Sequence, residues 1–100
     1  MDNPKSLDAV MIGRAGVDLY GEQIGGRLED MGSFAKYIGG SPTNTSIGAS
    51  RLGLKTALIT RVGNDAMGRF IREELHREGV STDHVITDVD RLTALVLLGI

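Results

Sequence analysis

The chain has 100 residues, a net charge of −2, 41% apolar residues, only 4% aromatics and no cysteine. This length allows one small domain at most, the lack of cysteine excludes a disulfide scaffold and a thiolate zinc site, and near-neutrality with scattered Lys and Arg gives no electrostatic footprint for nucleic acid or an anionic membrane. No apolar stretch approaches the roughly 20 residues of a membrane helix, and the polar start Met1-Asp2-Asn3-Pro4-Lys5-Ser6 lacks a signal-peptide core, so a cytoplasmic protein is expected.

Leu7 to Ile12 is short, mostly apolar and closed by Gly13, which predicts a buried strand. Residues 13–18 read as its C-terminal end and exit loop. Residues 19–32 mix charges with Gly21, Gly25, Gly26 and Gly32 and predict loop or irregular strand, and the weak alternation of Ser33–Ile38 predicts a short exposed strand. Ser41–Leu52 reads as a helix, with Ser41 as the cap, Pro42 in the first helical position and Gly53 as the left-handed terminator. Lys55–Val62 follows as a strand. Met67, Phe70, Ile71 and Leu75 then fall on one stripe of a second helix, started by Asn64 or Asp65 and ended by Gly79. His84–Thr87 and Thr93–Ile100 complete the set as a short and a longer apolar strand.

Strands alternating with helices predict an α/β fold with a parallel sheet. The excursion at 19–38 interrupts the alternation, and long, poorly periodic insertions are often functional. Because Leu95–Ile100 is apolar to the last residue, a fragment of a longer protein is expected.

Some motifs fail on spacing. In Gly48–Thr56, Leu54 separates Gly53 from Lys55 and the glycines end a helix instead of opening one, so this is no P-loop. Gly13-Arg14-Ala15-Gly16 starts like a dinucleotide-binding turn, but the pattern is left incomplete, with Asp at position 18. His76 and His84 lack a paired ligand spacing, so no metal site is expected, and His76 is expected to face solvent.

The strongest feature is Gly39-Gly40-Ser41-Pro42-Thr43-Asn44. Two glycines let the backbone approach a ligand, the helix start aims free N–H groups at the same region, and Asn44 offers both a donor and an acceptor. Local chemistry fits a polyhydroxylated ligand and a plain capped turn equally well.

Gly39 to Gly63 resembles the N-terminal signature of ribokinase-like (PfkB-type) carbohydrate kinases: paired small residues, Pro, an Asn two further on, a small residue, then glycines at set distances, here Gly53 and Gly63. The similarity extends through 13–23 and 91–100 and covers nearly the whole chain. Thr45-Ser46 departs slightly from the more apolar or alanine-like residues usual there.

The resemblance implies the N-terminal part of a three-layer α/β/α fold with a β-lid built from 19–38 and 93–100, the ATP-binding part lying outside residues 1–100. It implies transfer of the γ-phosphoryl of ATP, with Mg2+, to a hydroxyl of a sugar or sugar acid. Asp18 matches the carboxylate that binds substrate hydroxyls, Gly39 and Gly40 the pair beneath the sugar, and Asn44 the hydrogen-bonding Asn. If residues 14–18 are extended, Arg14 shares a face with Asp18 and could meet a sugar-acid carboxylate, although a surface Arg or one paired within the protein explains it as well. No catalytic base is expected here, since nothing in 64–100 resembles the glycine-rich element that carries it, so the isolated chain is expected to be inactive. Partners implied are a small sugar or sugar acid and a second subunit through the lid, with no nucleic acid or membrane. Two alternatives stay open: a non-catalytic sugar-binding or assembly module, and a dinucleotide binder.

Overall fold

The computed structural model describes residues 6–99; the polar start at 1–5 and Ile100 lie outside the described residues. The elements run β1 (Ala9–Ile12), β2 (Gly16–Gly21), a 3-10 turn (Leu28–Asp30), β3 (Phe34–Gly39), α1 (Ser41–Arg51), β4 (Thr56–Gly63), α2 (Ala66–Arg77), β5 (Val85–Asp88) and β6 (Ala94–Leu98).

They form two sheets. The first is parallel, in the order β1-β4-β5, with Ala9 opposite Thr56 and Thr60 opposite Val85. The second has β2 at its centre, antiparallel to β3 and parallel to β6, with Asp18 opposite both Tyr37 and Val96. Reading 13–18 as the end of the first strand and its exit loop is therefore corrected, because Gly16–Gly21 is a separate, paired central strand, and of the loop or irregular strand expected over 19–32 residues 19–21 belong to it. Its glycines and Asp look loop-like locally, but its backbone groups are satisfied by strands distant in sequence.

Leu58, Val62 and Val85 point to one face of the first sheet and pack with Ile71 and Leu75 of α2, Ile47 of α1 and Val17 of β2. Met67 and Phe70 of the predicted stripe sit at the edge of this core. The opposite face carries Val10, Ile12 and Ile86, which are 48%, 73% and 46% exposed. Among the described residues no helix covers it, so the three-layer arrangement is represented here by a sheet and one helical layer.

Helix α1 packs through small groups. Buried Thr43 donates its hydroxyl to the Arg14 carbonyl (3.0 Å), Ser46 to the Thr43 carbonyl (2.8 Å), and Thr56 of β4 to the Ser46 carbonyl (3.1 Å). The hydroxyl at 46 thus turns back onto its own helix. The N-cap is Gly40, with φ +103° and no side-chain cap, and Ser41 is the first helical residue. This corrects both Ser41 as the cap and Pro42 as the first helical residue: the helix starts one residue earlier, so Pro42 is its second residue and the cap falls at Gly40, where only glycine tolerates the dihedral.

Helix α2 is capped by Asp65, whose Oδ1 accepts from the Gly68 N–H (2.8 Å). The same carboxylate accepts from the Thr93 N–H (3.0 Å) and hydroxyl (2.7 Å), and that hydroxyl accepts from the Gly63 N–H (2.8 Å). One side chain thus joins the end of β4, the start of α2 and the entry to β6. These bonds, the Thr93 N–H first, then its hydroxyl and the Gly68 N–H, hold the Asp65 carboxyl below its ordinary value. A depressed folded value means that Asp65 stabilises the fold above the unfolded carboxylate pKa of about 3.9 and that this contribution is lost as pH falls through the folded value. Asp65→Ala is expected to reduce stability by about 1–2 kcal/mol at neutral pH. Urea titrations should show this difference shrinking as pH falls below about 3.9, where the unfolded carboxylate takes up a proton that the folded one still excludes.

Candidate functional site

Two connections join the sheets directly, residues 13–15 between β1 and β2 and residues 89–93 between β5 and β6, and the Gly39-Gly40 bend leads from β3 into α1. The two direct connections leave carboxyl ends of the parallel sheet, the location where open α/β sheets bind ligands.

Asp18 and the glycine bend meet at this junction. A Cβ built on Gly39 would lie 2.5 Å from both carboxylate oxygens of Asp18, so the carboxylate rests directly on the bare Gly39 backbone. Asp18 is half-buried, and among the described residues no protein group donates a hydrogen bond to it. Its cross-strand partner Tyr37 shares its face, as does Tyr20 two residues along, and the two rings meet edge-on with centroids 5.5 Å apart. A Cβ on Gly40 would strike the Arg14 carbonyl oxygen, so the bend packs directly on the 13–15 connection.

Arg14 lies outside β2, between Gly13 (φ +149°) and Ala15, and is exposed. It does not continue the strand face of Gly16 and Asp18 but opens onto a cavity of about 520 Å³. The walls include Arg61, Asp88, Arg91 and Ala94, and Ala94 stands opposite Gly16 on the Asp18 face of the second sheet. Sequence reasoning did not single out Arg61, Asp88 or Arg91. They lie far apart along the chain, and only the parallel topology assembles them.

Asn44 takes a separate place. Its N–H donates to the Gly40 carbonyl (2.9 Å), and the residue is exposed at a second cleft of about 310 Å³ with Lys36, Tyr37 and Phe70. The structure brings Asp18, Gly39, Gly40 and the Arg14 backbone together, while Asn44 is tied to Gly40 through its backbone N–H and lines a separate cleft.

Gly13–Gly16 leads into a strand and not a helix, so this turn lacks the helix N-terminus a dinucleotide's pyrophosphate requires. Among the described residues no group of three or more His, Cys, Asp or Glu side chains could hold a metal ion, and no helix is long and apolar enough to cross a membrane. His76 is exposed on α2.

The fold, a parallel sheet joined at its carboxyl edge to a mixed sheet, is shared with solved sugar kinases. Residues 6–99 match the family described as pfkB family carbohydrate kinase, and the chain belongs to that family. It is 48% identical over 87 residues to the 5-dehydro-2-deoxygluconokinase of Geobacillus thermodenitrificans, covering 87% of this chain and 26% of that protein. The corresponding Bacillus subtilis protein is 42% identical over 86 residues, covering 86% of this chain and 26% of the relative. Among solved structures, an uncharacterized sugar kinase from Pyrococcus horikoshii superposes with a TM-score of 0.87 at 38% identity, covering 92% of this chain and 31% of that one. A fructokinase from Halothermothrix orenii gives 0.86 at 35%, covering 93% and 34%. The chain spans about a quarter of the length of the curated relatives it matches.

Proposed function

We propose that the protein carrying this chain is an ATP-dependent kinase of a sugar acid, with 5-dehydro-2-deoxygluconate as the acceptor, and that residues 1–100 supply its substrate-binding part. The observation that carries this reading is the Asp18 carboxylate lying on the Gly39 backbone, with its lone pairs free of protein donors among the described residues. Such a carboxylate accepts two hydroxyl hydrogen bonds, and each is stronger than a neutral one. Gly39 and Gly40 leave room for the sugar above the bend, Asn44 reaches a further hydroxyl, and Arg14 serves the acid group. The relatives' names support the particular acceptor; fructose, ribose or 2-keto-3-deoxygluconate are the within-family rivals.

The second sheet acts as a lid in this reading, with β2, β3 and β6 closing over the sugar to exclude water so that phosphate passes to the hydroxyl. Leu95 and Leu97 are 50% and 51% exposed on its other face, which supports a second subunit docking there. ATP and Mg2+ are assigned mainly to residues outside this chain, as is the catalytic base. When bound they supply the phosphoryl group and neutralise its charge. This chain's own residues bind and orient the acceptor.

Assay of the complete protein against a panel of sugars and sugar acids tests the reading. The expected result is ATP-dependent phosphorylation with the highest kcat/KM for 5-dehydro-2-deoxygluconate. Purified residues 1–100 are expected to give none, and turnover by that fragment would refute the assignment of the base to the rest of the protein. Sugar binding without phosphorylation by the complete protein would instead favour a non-catalytic sugar-binding module.

A further inference from the structure

We infer that the cavity at the carboxyl ends of β1, β4 and β5 is an oxyanion subsite formed by Arg14, Arg61 and Arg91, and that it takes the carboxylate of the acceptor; this rests on the sugar-acid kinase reading above. Arg14, Arg61 and Arg91 line the cavity together with one acidic residue, Asp88, and with Ile12, Ile59 and Ile86 of the uncovered sheet face. Arg61 and Arg91 both approach Asp88 Oδ2, at 3.9 and 3.4 Å, while Asp88 Oδ1 accepts from the Asp90 N–H (2.9 Å). One carboxylate between two arginines gathers them without neutralising both, and among the described residues Arg14 has no ion pair. Among the described residues the wall therefore carries three arginines against one carboxylate.

The asymmetry in exposure supports this role. The Asp88 side chain is 10% exposed, whereas Arg61 and Arg91 are 64% and 82% exposed. The acid is held at the base of the cavity, and guanidinium forks match carboxylate oxygens two at a time. The Arg14 backbone is fixed by the Thr43 hydroxyl and by the Gly40 contact, so its mobile side chain starts from an immobile anchor.

Position links this cavity to the sugar site. Ala94 lines the cavity and stands opposite Gly16, and Asp18 lies two residues further along the same face, about 7 Å away at strand rise. A short polyhydroxy acid with its hydroxyls at Asp18 has the length to place its carboxylate among the arginines. A neutral sugar leaves that charge unmatched, so the subsite discriminates acid from sugar.

The experiment compares the complete protein with Arg14→Gln, Arg61→Gln and Arg91→Gln variants on two acceptors: 5-dehydro-2-deoxygluconate and its neutral analogue carrying hydroxymethyl in place of carboxylate. Each variant is expected to lose about 10–100-fold in kcat/KM for the acid, the range of a charge-assisted hydrogen bond, and less than about twofold for the neutral analogue. Arg14→Lys should recover part of the loss, because charge returns without the fork. Equal losses on both acceptors would assign the arginines to the phosphoryl group or to folding and overturn the inference, as would full acid activity in all three variants. Calorimetric binding of D-gluconate against D-glucitol provides a readout independent of turnover. Selective gluconate binding that the Gln variants abolish upholds the subsite even if no phosphorylation is found, in which case only the kinase reading fails.

Discussion

Asp18→Ala in the complete protein is expected to lower kcat/KM for the acceptor by about 10–150-fold, equivalent to about 1.5–3 kcal/mol for hydrogen bonds to a charged group, while KM for ATP barely moves. The fold does not need this carboxylate, since among the described residues it makes no hydrogen bond within the protein. Thermal stability should therefore change little while acceptor use collapses. The substitution Gly39→Ala tests the same contact from the other side. Its methyl group would sit 2.5 Å from the Asp18 oxygens and must displace them. A comparable loss is expected, and because both changes remove one arrangement, the double variant should lose far less than the product of the two. Unchanged acceptor kinetics in Asp18→Ala would remove the basis of the proposed site.

Gly40→Ala is expected to produce the largest stability loss, about 3 kcal/mol or more, with poor recovery of folded protein. Two effects combine: the positive φ disfavours a side chain by about 1–2 kcal/mol, and the added methyl drives into the Arg14 carbonyl, an overpacking that costs typically about 1–3 kcal/mol. Gly53→Ala is the control. It shares a positive φ (+97°), but a methyl there meets nothing within 4 Å. Only the conformational part should appear, about 1 kcal/mol in a urea titration. Equal losses at the two positions would mean that close packing at the bend contributes nothing.

The two helices and the outer strands were readable because their signals are local. The Met67–Leu75 stripe, a cap at Asn64 or Asp65 and the terminating glycines each depend on neighbours within about one or two turns, and the structure selects Asp65. Strand β2 was hidden for the opposite reason: Gly16, Asp18 and Gly21 resemble loop until β3 and β6 flank them. The cap of α1 was misplaced by one residue because Ser41 carries the chemistry of a cap while Gly40 carries the dihedral, and composition does not reveal φ.

The same division holds for the candidate site. By itself the sequence determined the glycine pair, the aspartate and the α/β alternation, since turn chemistry and periodicity are properties of adjacent residues. Only the tertiary structure decided that the Asp18 carboxylate rests on Gly39, that Arg14 lines a cavity with Arg61, Asp88 and Arg91, and that Asp65 binds Thr93 across two elements. These are contacts between segments up to about 75 residues apart, set by sheet order and register, and no local interaction energy encodes them.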